Sequence, residues 1–95
     1  MSARILVVDD DDAIRDIVVT YLSQSGLSVE RAESPETASQ LVESTEFDVV
    51  ITDKNMVTQK GETEGGLLLL SHIKRKAPTT EVILMTGYPT IDTAI

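Results

Sequence analysis

Four residues in this chain have side chains and positions that could do chemistry together. Asp9 and Asp10 close one apolar run, Asp53 closes a second, and Thr86 closes a third. Carboxylates held close together repel one another and are costly to ionise together unless a cation or a shared proton compensates. A hard cation is the natural partner. Mg²⁺ takes oxygen ligands in an octahedral shell, keeps several waters, and typically uses one or two carboxylates plus phosphate oxygens. A carboxylate can also act as a nucleophile and form an acyl phosphate, and phosphoryl transfer relies mainly on positioning and on charge neutralisation by a metal and hydrogen-bond donors. Asp53 is the candidate nucleophile, and the hydroxyl of Thr86 is a candidate donor. Other chemistries lack their parts. No glycine-rich loop follows the first apolar run to cradle a nucleotide, and no Ser-His-Asp or Cys-His set can be assembled.

The elements that must position these residues can be read from the apolar pattern. Residues 5–8 form a continuous β-branched and aliphatic run that ends in four aspartates, the mark of a strand buried on both faces. Ile14, Ile17, Val18, Tyr21 and Leu22 then follow the i, i+3, i+4, i+7, i+8 spacing of an amphipathic helix that stops at Ser25-Gly26. Residues 27–32 read as a second strand. Ser34 and Pro35 supply an N-cap and a first-turn proline for a helix carrying Ala38, Leu41 and Val42. Residues 47–52 form a third strand ending at Asp53. Residues 67–76 form a third helix, whose last turn holds Lys74, Arg75 and Lys76 at the negative end of the dipole, and Pro78 blocks its continuation. Residues 82–86 read as a fourth strand, and Thr90 as the N-cap of a further helix. This alternation predicts an α/β fold: a doubly wound parallel sheet with right-handed crossovers and helices on both faces. Ligands of such sheets bind outside the carboxyl ends of the strands, where Asp9, Asp10, Asp53 and Thr86 all fall.

Composition narrows the function classes. Sixteen acidic residues against eight basic ones give a net charge of −8, which repels nucleic-acid phosphates and argues against direct nucleic-acid contact from this segment. There is no cysteine, so disulfides and thiolate metal sites are excluded, and the chain suits a reducing cytoplasm. No apolar stretch reaches membrane-spanning length and no signal-peptide core follows the first residues, so a cytoplasmic protein with no membrane contact is expected.

Three segments together, in this order and spacing, resemble the receiver domains of bacterial two-component response regulators: Ile5-Leu6-Val7-Val8-Asp9-Asp10-Asp11, Asp48-Val49-Val50-Ile51-Thr52-Asp53-Lys54-Asn55-Met56, and Val82-Ile83-Leu84-Met85-Thr86-Gly87-Tyr88. The resemblance implies a flavodoxin-like fold of strand order 2-1-3-4-5, an order for which a member of this family is a standard illustration. It implies that Asp10 and Asp53 bind Mg²⁺ directly, that Asp9 acts mainly through water, and that the backbone carbonyl of Asn55 is the third protein ligand. Asp53 would be the phosphoacceptor of a sensor histidine kinase, and Thr86 the switch hydroxyl that reads the phosphoryl group. The domain would be a signalling switch with weak autocatalytic phosphotransfer rather than an enzyme, controlling an output domain in the same longer chain. Residues 86–94 look especially like the receivers of transcriptional activators that carry an ATPase domain and a DNA-binding domain.

The chain departs from the family pattern in two places. Where the family usually has a proline right after the position of Met56 and a glycine soon after, Val57 follows and the loop runs on through Gly61 and Glu64 to Gly65-Gly66, an insertion over residues 57–65 beside the acidic pocket. Residues 1–95 also lack the family's fifth strand, its phosphate-binding lysine and its fifth helix, so a C-terminally incomplete receiver domain of order 2-1-3-4 is expected. The edge of its fourth strand would be open to pairing with a second copy as a homodimer.

Simpler roles are assigned to the other polar residues. Asp11 and Asp12 are read as helix-start residues, Lys74 to Lys76 as a solvated helix end, and His72 as a surface or packing residue with no partner carboxylate in register. Lys60 is read as a loop residue rather than a substitute for the missing lysine. Two other functions compete with phosphoacceptance. One is a receiver-like interaction module that does not transfer phosphate. The other is a phosphatase of the haloacid dehalogenase type, whose Asp-x-Asp motif Asp9 and Asp11 superficially satisfy, although it would leave Asp53 unused.

Overall fold

A computed structural model describes residues 3–85. Seven elements alternate along them: β1 (Arg4–Val8), α1 (Asp12–Gln24), β2 (Ser28–Ala32), α2 (Pro35–Ser44), β3 (Val49–Asp53), α3 (Gly65–Lys76) and β4 (Glu81–Met85). The four strands form one parallel sheet in the order β2-β1-β3-β4, matching the flavodoxin-like order that the motifs imply. Thr86 and the helix anticipated after Thr90 lie outside the described residues.

The two faces of β1 explain why its sequence is apolar throughout. Leu6 and Val8 point into a cluster with Ala38 and Val42 of α2, Leu69 and Ile73 of α3, and the buried Phe47, Val50 and Met56. Ile5 and Val7 point to the opposite face, where Val19 of α1 covers them and Val18 and Leu22 pack alongside. One helix therefore lies on one face and two on the other, as a doubly wound sheet requires.

Helix ends follow the capping residues. Asp11 is the N-cap of α1, its Oδ1 accepting from the amides of Ala13 at 2.9 Å and Ile14 at 3.1 Å. Ser34 caps α2, its Oγ accepting from Thr37 N at 3.1 Å, with Pro35 in the first turn. Strand β3 starts at Val49 rather than at residue 47, β2 starts one residue later and β4 one residue earlier than expected, and three further details differ from the sequence reading. The apolar stripe of α1 is rotated: Val18, Val19 and Leu22 face the sheet, while Ile17 and Tyr21 are 69% and 70% exposed. Six apolar residues in this helix span more arc than one sheet face can cover, so packing selects part of the stripe. Helix α3 begins at Gly65 rather than Leu67, because both glycines lie against the turn that follows β3. His72 has a carboxylate neighbour after all, its Nε2 lying 3.7 Å from Oε1 of Glu43 on the adjacent helix α2. Among the described residues no helix is long and apolar enough to cross a membrane.

Candidate phosphoacceptor and metal site

Parallel pairing of β1 with β3 sets Val8 opposite Thr52, so the residues that follow these two strand positions emerge at the same edge of the sheet. Asp9, Asp10 and Asp53 come together there, with one carboxylate oxygen of each within 4.8 Å of the others. Asp9 is buried, Asp53 is half-buried and Asp10 is exposed, so the cluster grades from protein interior to solvent.

Asp9 is held from three sides. Its amide donates to the carbonyl of Ala32 at 3.1 Å, its carbonyl accepts from Nη1 of Arg15 at 2.7 Å, and its Oδ1 accepts from the amide of Asp11 at 2.9 Å. Burial pushes its carboxyl above the usual carboxylate range. The amide of Asp11 opposes that shift, and the charges of Asp53, Asp10 and Asp11 reinforce it. Asp53 ends β3, and its Oδ1 accepts from the amide of Asn55 at 3.2 Å in the turn beyond. Asn55 is exposed in that turn.

The donor set fits a small hard cation. All three side chains offer oxygen and none offers sulfur or imidazole, which selects Mg²⁺, Ca²⁺ or Mn²⁺ over softer metals. The carboxylate oxygens of Asp9, Asp10 and Asp53 lie within 4.8 Å of one another, so one small cation could be shared among them directly or through water. A cation there would also offset the neighbouring charges that add to the effect of burial at Asp9.

The other polar residues take different places. Asp11 is spent on capping α1, and Asp12 is an exposed partner of Arg15. Lys60 lines a cavity of about 390 Å³ together with Glu36, His72 and Arg75, between the insertion loop and helices α2 and α3 and away from the carboxylates. The switch hydroxyl anticipated at Thr86 lies outside the described residues. Two contributors escaped the sequence reading. Arg15 reaches back from α1 to Asp9, and its only trace in sequence is an arginine three residues after Asp12 on a helix start. The pair Gly65-Gly66 packs on the turn of Asp53, where a double glycine reads as an ordinary loop.

The response regulator receiver domain family matches residues 5–95. The response regulator protein FleR of Pseudomonas aeruginosa is 33% identical over 95 residues, covering 100% of this chain and 19% of FleR. The DNA-binding transcriptional regulator NtrC of Azospirillum brasilense is 34% identical over 94 residues, covering 99% of this chain and 18% of NtrC. The chain thus spans about a fifth of the length of the curated relatives it matches. Among solved structures, the response regulator TrrA of Thermotoga maritima, in complex with Mg²⁺-BeF, is 34% identical with a TM-score of 0.80, covering 93% of this chain and 71% of TrrA. TrrA in complex with the histidine kinase ThkA superimposes with a TM-score of 0.79 at 33% identity, covering 96% of this chain and 73% of that one.

Proposed function

The chain belongs to the response regulator receiver domain family, and on that premise we propose that it accepts a phosphoryl group from a sensor histidine kinase onto Asp53 and thereby switches an output domain. The convergence of Asp9, Asp10 and Asp53 at one sheet edge carries this reading. Asp10, Asp53 and the carbonyl of Asn55 would hold Mg²⁺ directly, and Asp9 would act through water. When bound, Mg²⁺ supplies positive charge that offsets the carboxylates and the incoming phosphoryl oxygens.

The chain's own residues define the transfer. Oδ1 of Asp53 accepts from the Asn55 amide at 3.2 Å, which orients the carboxylate. One carboxylate oxygen of Asp53 forms the new bond to phosphorus, the phosphorus–nitrogen bond of the kinase phosphohistidine breaks, and its electron pair returns to the imidazole, which takes up a proton. The amide of Asn55 orients the nucleophile, and Asp9, anchored by Arg15, holds the edge in place. Thr86 would read the product as a hydrogen-bond donor, so Thr86→Ala should permit phosphorylation and weaken the response.

The ThkA complex of TrrA supports a histidine kinase as phosphodonor, and the Mg²⁺-BeF complex of TrrA supports Mg²⁺ as the metal. The length of the curated relatives supports residues 1–95 as the receiver portion of a longer regulator. The DNA-binding transcriptional regulator NtrC supports an output in transcription, and the net charge of −8 supports an output exerted without nucleic-acid contact by this segment.

Treatment with acetyl phosphate and Mg²⁺ followed by peptide mass mapping tests the assignment. Modification at Asp53 that is lost in Asp53→Asn supports it. An unmodified chain would favour an interaction module that does not transfer phosphate, and modification at Asp9 would favour the phosphatase-like chemistry.

A further inference from the structure

The turn after Asp53 is held by the first residues of α3 through backbone contact. Gly66 N donates to the carbonyl of Lys54 at 3.1 Å, and Gly65 N donates to the carbonyl of Met56 at 2.7 Å. On the other side, Lys54 N donates to Met85 O at 2.9 Å and Asn55 N donates to Oδ1 of Asp53 at 3.2 Å. The carbonyls on both sides of Asn55 are thus occupied, whereas no donor among the described residues is spent on the Asn55 carbonyl itself. Buried or crowded backbone groups find partners almost without exception, so this pattern selects which oxygen of the turn stays available.

The approach is so close that no side chain fits. A Cβ on Gly66 would lie 2.7 Å from Cα of Lys54 and 2.9 Å from the carbonyl carbon of Asp53, with the Asp53 oxygen nearer still. These are backbone atoms and cannot swing aside as a side-chain tip can. A Cβ on Gly65 would lie 2.5 Å from the Met56 oxygen and 2.7 Å from Cγ of Pro35. Neither glycine is among those with positive φ, which are Gly26 and Gly61, so closeness rather than backbone freedom explains the pair.

We propose that Gly66 is a positioning residue for the metal site: by carrying no side chain it lets α3 clamp residues 54–56 so that the Asn55 carbonyl and the Asp53 carboxylate face one ion. The inference rests on the phosphoacceptor reading. Mg²⁺ demands near-ideal octahedral geometry, so a turn displaced by the bulk of one methyl group offers its oxygens in the wrong place.

Mg²⁺ titration of the 95-residue chain and of Gly66→Ala, followed by amide NMR where circular dichroism shows both folded, tests this. Gly66→Ala should weaken Mg²⁺ affinity about tenfold or more, the scale seen when residues that orient metal ligands are lost. Ile73→Val, a truncation in the core face of the same helix, should lower the melting temperature and leave Mg²⁺ affinity within about twofold. Should Gly66→Ala fail to fold, hydrogen exchange on the unsubstituted chain decides: Mg²⁺ should slow exchange at the Gly65 and Gly66 amides and leave the Gly61 amide unchanged. A folded Gly66→Ala that binds as tightly as the parent, or unchanged exchange at Gly65 and Gly66 in a chain that binds Mg²⁺, overturns the inference alone. Amide signals around Asp53 that ignore Mg²⁺ in the unsubstituted chain overturn the metal reading and this inference with it.

Discussion

Arg15 and Asp9 are joined through the backbone rather than through opposite charges: Nη1 of the guanidinium donates to the Asp9 carbonyl at 2.7 Å. The other arm, Nη2, pairs with Asp12 at 2.5 Å. The arginine side chain is 12% exposed and the Asp12 side chain is 84% exposed, so the two arms sit in different media. An ion pair in water contributes little, whereas a sheltered charge-assisted hydrogen bond is one of the stronger kinds. Losing Arg15 also strips a positive charge from beside the crowded carboxylates.

Arg15→Ala should therefore lower the unfolding free energy by about 1–2 kcal/mol, and Asp12→Ala by less than about 1 kcal/mol. Urea denaturation in Mg²⁺-free buffer measures both. Similar losses in the two variants would mean that the Asp12 arm, not the Asp9 arm, carries the contribution.

The rotation of α1 gives a second prediction. Val19 is 4% exposed against the Ile5 and Val7 face of the sheet, whereas Ile17 and Tyr21 are turned away from it. Val19→Ala should cost about 2 kcal/mol through lost burial and an unfilled space, and Ile17→Ser should stay within about 0.5 kcal/mol. Denaturation midpoints of the two variants distinguish this packing from one in which Ile17 and Tyr21 face the sheet. In that case the order of the two costs would reverse.

The strands and the acidic edge were legible because each rests on local chemistry. A β-branched run that stops at a carboxylate marks both a buried strand and its functional end, and this holds at Val8-Asp9 and at Thr52-Asp53. Caps were legible for the same reason: Asp11 and Ser34 have side chains suited to free amides and are found accepting from them. What could not be read depends on contacts between distant segments. The face of α1 that meets the sheet is chosen by the width of that face, not by the helix alone. The 3.7 Å approach of His72 to Glu43 depends on the relative rotation of two helices, which no local pattern encodes. Glycine is a poor helix residue, so Gly65 and Gly66 read as loop until the backbone they approach is known.

The burial of Asp9 makes stability depend on pH in a definite direction. Its carboxyl lies above the ordinary value of 3.8 in the folded chain, first because burial removes hydration, then because of the charges of Asp53, Asp10 and Asp11, with the Asp11 amide acting against them. Between the unfolded and folded values the folded chain binds more protons than the unfolded one. The contribution of Asp9 to stability is therefore greatest below the ordinary value, falls as pH rises through the raised one, and stays low at neutral pH. Asp9→Asn removes the ionisation while keeping an oxygen that can accept from the Asp11 amide, so in Mg²⁺-free buffer the variant should gain on the parent as pH rises from about 4 to about 7. Glu33 works in the opposite sense, because the hydroxyl of Thr37 holds its carboxyl below the usual range, but its part is common to both proteins and cancels in the difference. Adding Mg²⁺ at neutral pH should raise the melting temperature of the parent, since an ion that binds only the folded chain stabilises it. The rise should be smaller in Asp9→Asn, which has one fewer negative charge to neutralise. Thermal melts of parent and variant across this pH range, with and without Mg²⁺, measure both effects. Parallel pH profiles for the two proteins would mean that the Asp9 carboxylate is as well solvated in the folded chain as in the unfolded one.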